Sequence, residues 1–167
     1  GPAGRVSAAV LVAAITPLML RTADNPEGTP MEVFDGFRAA LAGNRAQFFR
    51  DLPAGPFYGF NREGATVQEG VIQNWWRQGM MGAAKAHYDG IKAFSETDLT
   101  EDLKALAVPT LLLHGEDDQV VPIEASAHKA IRLLSDGTLK TYAGLSQGML
   151  TVNAEMLNAE ILDFITA

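Results

Sequence analysis

The first regular pattern along the chain is an almost unbroken apolar run, "RVSAAVLVAAITPL" at 5–18. Continuous Val/Leu/Ile/Ala character over this length predicts a parallel strand buried on both faces. It is too short to cross a bilayer, and Thr16-Pro17 interrupts it, so it reads as a strand and not as a secretory h-region. Turn residues dominate 16–28. "TPME" at 29–32 then predicts a helix start, with Thr29 as N-cap, Pro30 at the first helical position and Glu32 completing a capping box. Val33, Phe34, Phe37 and Leu41 follow at helical spacing. Asn44 predicts the cap of a second helix, whose apolar side carries Phe48, Phe49 and Leu52.

A second capping box, "TVQE" at 66–69, predicts a third helix through Val71, Ile72, Trp75 and Trp76. After "GMMG" at 79–82, a fourth helix runs through His87, Ile91 and Phe94. From residue 96 the rhythm changes to helix ("TEDLKAL"), strand ("VPTLLLH"), turn, helix ("IEASAHKAIRLL"), strand ("TLKTY"), loop and helix ("NAEMLNAEILDFI"). The fold class this predicts is α/β, with three parallel strands and a four-helix insertion. Its divisions are 1–28 (first strand and connection), 29–95 (helical cap) and 96–167 (strand–helix units).

Composition narrows the function classes. The 167 residues carry 20 acidic and 13 basic side chains, a net charge of −7, and no basic cluster interrupts that balance. A nucleic-acid footprint and a polybasic membrane patch are therefore not expected. The absence of cysteine removes disulfides, thiolate chemistry and Cys-based zinc sites, and leaves the cytoplasm as the default compartment. The leading Gly-Pro, with no initial Met, is what a processed or excised piece would carry.

Two loops could carry chemistry. In "LLLHGEDDQVVP" (111–122) a hydrophobic strand opens onto Glu116, Asp117 and Asp118 before a helix. Ligands and catalytic groups collect at the carboxyl ends of strands in open α/β sheets, although carboxylates also simply favour helix N-termini. The second loop, "GLSQGM" (144–149), lies between the last strand and the last helix. It offers Ser146 and Gln147, neither of which is a base at neutral pH.

The acid turn resembles that of the α/β-hydrolase fold, strand–H-G-x-x-D-x-x-x-P–helix. More narrowly, "ITPLMLRTADNPEGTPMEVFDGFRAAL", "NRAQFFRDLPAGPFYGFNREGA", "NWWRQGMMGAAKAHYDGIKAFSETDLTEDL" and "PTLLLHGEDDQVVP" resemble the cofactor-free haloperoxidase-like esterases, or perhydrolases, a group with arylesterases and γ-lactamases. The resemblance implies the C-terminal portion of that fold, and acyl transfer from small esters to water or peroxide without metal or cofactor. It implies Asp118 as the acid that orients a histidine. The family's nucleophile sits in G-x-S-x-G, and the one run here with that spacing, Gly144-Leu145-Ser146-Gln147-Gly148, lies in the loop after the last strand, where the resemblance places the family's histidine and not its nucleophile. The family's histidine position falls on Gln147, which cannot shuttle a proton. The chain is accordingly expected to be inactive alone.

The three histidines are weak substitutes: His114 belongs to the turn, His128 lies on the following helix, and His87 reads as a packing residue of the cap. Trp75, Trp76, Met80 and Met149 are candidates to line an acyl pocket, with simple packing the plainer reading for the tryptophans. Ser146 has no neighbouring base to activate it. An unpaired sheet edge along Val6–Ile15 would suit a homodimer or a complementary N-terminal half chain.

Overall fold

A computed structural model describes residues 4–166. The element order is β1 (Ala9–Val12), α1 (Met31–Gly43), α2 (Arg45–Ala54), α3 (Glu69–Met81), α4 (Ala84–Glu96), α5 (Thr100–Lys104), β2 (Thr110–Gly115), α6 (Ala127–Ala130), β3 (Gly137–Tyr142), α7 (Met149–Val152) and α8 (Ala154–Thr166). The strands form one parallel sheet in the order β1-β2-β3.

β2 is central and buried at every position. Its alternating side chains feed two cores. Leu111 and Leu113 face Met149 and Leu157, with Val10, Val12, Ile161 and Phe164 against them. Leu112 faces Leu103, Ile123, Ala127 and Ala130 on the other side. Burying each such leucine stabilises the fold by about 1.5–3 kcal/mol. A third cluster, Met19, Phe34, Ile91 and Val121, joins the four-helix block α1–α4 to the turn beyond β2.

Several boundaries differ from the sequence expectations. The first strand is only Ala9–Val12, because Ala13 turns the chain with φ 46°. Neither capping box forms. Thr29 uses its backbone in a bridge to Leu20, giving its N–H to Met19 O (2.7 Å) and taking Arg21 N–H (2.9 Å), and Pro30 occupies the N-cap position without a side-chain bond. The third helix starts at Glu69 behind Gln68, so Thr66 lies outside it. Asn44 does cap α2, accepting from Gln47 N at 3.0 Å.

The helix expected over 123–134 is broken. A 3₁₀ turn at Ile123–Ala125 is separated from α6 by Ser126, whose hydroxyl donates back to Pro122 O at 2.8 Å. Such back-bonding to the i−4 carbonyl distorts helices. No helix among the described residues is long and apolar enough to cross a membrane.

Candidate active site

The acid turn begins where β2 runs out at Gly115. There the chain presses against the loop after β3: a Cβ on Gly115 would lie 2.2 Å from Leu145 O, a distance no side chain tolerates. Glu116 N donates to Tyr142 O (3.0 Å) and Asp117 N to Leu145 O (3.1 Å). Backbone hydrogen bonds thus zip the acid turn to the 143–148 loop.

Asp118 turns inward, its side chain sealed from solvent. One carboxylate oxygen, Oδ1, accepts from Val120 N (2.9 Å) and Val121 N (2.8 Å). The other, Oδ2, is buried without a hydrogen-bond partner. His114 Nε2 comes only to 3.5 Å of Oδ2 and donates instead to Val121 O at 2.9 Å. His114 is therefore a strut of the turn. Glu116 and Asp117 point outward, where they take Thr141 Oγ1–H (2.7 Å) and Arg62 Nη1–H (2.9 Å).

In the 143–148 loop, Gln147 donates Nε2–H to Ala13 O at 3.1 Å, and its Oε1 is buried without a partner. Ser146 is 1% exposed. Gly148 N donates to Phe57 O at 2.7 Å, and a Cβ there would sit 2.1 Å from the Tyr58 ring. Arg62 bridges the same cap segment to both loops, with a second bond to Gly144 O at 2.8 Å. Asn61 and Gln119 exchange amide hydrogen bonds at 2.9 and 3.0 Å. The cap segment 57–62 holds both loops at the strand ends.

Beneath the cap lies a cavity of about 400 Å³ between α1, α2, α4 and the strand ends. Phe37, Phe48, Phe49, Phe57 and Phe94 dominate its walls, and Gln147 and His87 are its polar side chains. Gln147 and the Asp118 turn, through Val120 and Val121, therefore meet at one apolar hollow.

The four sequence candidates for pocket lining are placed elsewhere. Met149 is fully buried in the core against α8. Trp76 is 38% exposed, donates Nε1–H to Ala46 O (3.0 Å), and flanks a separate outer depression of about 620 Å³. Met80 sits at the end of α3, where its carbonyl accepts from Arg45. Trp75 stands one layer behind the cavity, 5.5 Å from the Phe49 ring and 5.2 Å from that of Phe57. The phenylalanines were visible as helix faces, but an apolar stripe has one sequence signature whether it meets a core or a cavity. His128 is on the surface, paired with Glu124 at 2.9 Å. Among the described residues no three His, Cys, Asp or Glu side chains gather as metal ligands would.

Comparison with known proteins adds the following. Residues 68–150 match the family model described as serine aminopeptidase, S33. Over 166 residues the chain is 73% identical to a non-heme chloroperoxidase of Burkholderia pyrrocinia, covering 99% of this chain and 60% of that one. It is 58% identical to a bifunctional esterase/perhydrolase of Acinetobacter calcoaceticus, covering 98% of this chain and 59% of the relative. The crystal structure of a bromoperoxidase from Bacillus anthracis superposes with a TM-score of 0.90 at 26% identity, over 98% of this chain and 59% of the other. The chain thus spans about 60% of the length of the curated relatives it matches.

Proposed function

The chain belongs to the α/β-hydrolase superfamily, among relatives named non-heme haloperoxidases and esterase/perhydrolases, and from that premise we propose that it supplies the acid, cap and acyl-side cavity of a serine esterase/perhydrolase, without turnover of its own. In the proposed reaction a serine Oγ attacks the ester carbonyl, its proton passes through a histidine to the departing alkoxide, and an acyl-serine remains. Water or hydrogen peroxide then attacks that acyl group, releasing acid or peracid and regenerating the serine. Asp118 serves by orienting the histidine and stabilising the imidazolium.

The observation that carries this reading is the Asp118 carboxylate. Two backbone N–H groups fix Oδ1, and Oδ2 is left buried and unpartnered. A charge so held, with one oxygen waiting for a donor, suits an acid that orients a base. Gln147 stands where the base belongs, and an amide takes no proton from serine. The one G-x-S-x-G spacing in the sequence, Gly144–Gly148, falls in the loop that carries Gln147, and its Ser146 is buried and shows no left-handed backbone.

The test is a chromogenic short-chain ester. The chain alone is expected to give no turnover above an Asp118→Ala control. Supplying an elbow-bearing N-terminal portion from a relative should give hydrolysis with Gln147→His and not with the parent chain. Asp118-dependent turnover by the parent chain alone would overturn the inactivity, and no rescue by Gln147→His would overturn the assigned roles.

A second reading rests on the edge of β1. This strand pairs only with β2 among the described residues, and its residues are half-buried. Val6 is 59% exposed, and 6–15 hold no charged side chain. Such an edge suits a homodimer or a complementary N-terminal half chain. Light scattering tests it: a compact monomer at high concentration counts against self-pairing, and the N-terminal portion mixed in tests the other partner.

A further inference from the structure

The cavity beneath the cap has an uneven lining. Its walls are aromatic and aliphatic, with two polar side chains, His87 from α4 and Gln147 from the loop after β3. Among the described residues no charged side chain lines it. Each polar residue carries one buried atom without a hydrogen-bond partner: Nδ1 of His87 and Oε1 of Gln147. The other half of the Gln147 amide is already committed to Ala13 O at 3.1 Å. The His87 ring is held edge-on to Phe49 with centroids 4.9 Å apart, a contact that satisfies no polar atom.

Buried polar atoms are nearly always paired, so two orphans at one apolar hollow need an explanation. Pockets for small molecules combine apolar walls with a few polar groups that fix orientation. Both atoms belong to side chains that line the hollow. Gln147 Oε1 is an acceptor, and His87 Nδ1 is donor or acceptor according to its tautomer. An uncharged head with both capacities, a primary amide or hydroxyl, can pair with either atom. A carboxylate meets no cation there and would shed its hydration without compensation.

We propose that His87 and Gln147 form the polar recognition pair of this cavity, which reversibly holds an uncharged ligand with an aryl or branched-alkyl body and an amide or hydroxyl head. This rests on reading the cavity as the acyl-side pocket, but it requires no turnover, and it gives His87 a role that the acid–base chemistry does not use.

Trp75 packs against Phe49 and Phe57, two of the cavity walls, and so reports on occupancy. The full chain carrying Trp76→Phe, which isolates Trp75, is titrated with benzamide, benzoate and ethylbenzene while Trp fluorescence is followed. Benzamide is expected to bind at least about tenfold more tightly than benzoate. His87→Phe and Gln147→Met should each weaken benzamide by about three- to tenfold and leave ethylbenzene unchanged. Undiminished benzamide binding in both variants overturns the recognition pair while the pocket stands. Equal losses for benzamide and ethylbenzene also overturn it, since that pattern reports lost packing. If no compound binds, the cavity is not a pocket, and the ester assay then decides the acid's role by itself.

Discussion

Gln147 ties the loop after β3 to the end of β1 by donating its side-chain amide to Ala13 O at 3.1 Å, across 134 residues of sequence. Ala13 is the residue with φ 46° that ends β1, so the bond fixes a carbonyl in an uncommon backbone geometry. Its orphaned partner atom, Oε1, faces no donor.

That arrangement makes the position intolerant of an acid. Gln147→Glu replaces the only donor with an oxygen, leaving Ala13 O unpaired and setting a carboxylate among acceptors. The substitution is expected to destabilise the fold at pH 7 by about 2–4 kcal/mol. The new carboxyl would have its folded-state pKa raised, so its penalty is absent below the ordinary carboxyl range and appears as pH rises through it. Urea unfolding should show much of the loss recovered at about pH 4 relative to the parent chain. A pH-independent loss would contradict this picture.

Asp118 should matter to folding through Oδ1 alone. Asp118→Ala strands the N–H groups of Val120 and Val121, both bound by that one oxygen. The expected cost is about 2–4 kcal/mol, from two buried donors losing their acceptor. Asp118→Asn keeps an acceptor there and should cost less than half as much. Equal losses for the two variants would mean that charge, and not the two N–H bonds, dominates.

How much of this was legible in the sequence depends on what each signal encodes. The Leu111–Leu113 run and the acids after Gly115 announced both strand and turn, because a central parallel strand is apolar throughout and its end must be polar. Thr29 and Thr66 misled, since a capping motif records side-chain chemistry and not whether the backbone is already engaged, as that of Thr29 is. The break at Ser126 needed its buried hydroxyl to be seen reaching Pro122 O. The cavity was hidden because Phe37, Phe48 and Phe94 look like core residues from their spacing. His87 read as a packing residue of the cap, its unpaired nitrogen being a property of the assembled fold.

The glycines at the loop contact should be unequal to those on helix surfaces. Gly115→Ala drives a Cβ to 2.2 Å from the Leu145 carbonyl, backbone that cannot swing away. Gly148→Ala meets the Tyr58 ring at 2.1 Å. Both should lower stability by about 2 kcal/mol or more, as overpacking at a rigid contact does. Gly36→Ala in α1 is exposed, has open space around its Cβ and should raise stability by about 0.5–1 kcal/mol. Thermal melts of the three variants check the order, and a tolerated Gly115→Ala would refute the tight apposition of the two loops.

Tyr58 offers a test of the same contact by pH. Burial, the larger cause, pushes its phenol above the ordinary value of 10.0, and a hydrogen bond with Thr151 pulls the other way. Below that ordinary value both folded and unfolded chains keep the phenol neutral, so its contribution is fully present. As pH rises beyond it the unfolded chain ionises first, and stability falls until the folded phenol ionises too. Tyr142 is raised as well, chiefly by burial, so it adds to the same alkaline loss. Tyr58→Phe should therefore unfold in urea with a shallower decline between about pH 9 and 11 than the parent chain. The two should differ little at pH 7, where the lost hydroxyl contact is worth about 1 kcal/mol. If both decline with the same slope, the Tyr58 phenol is open to solvent, and the cap segment does not close over Gly148 as described.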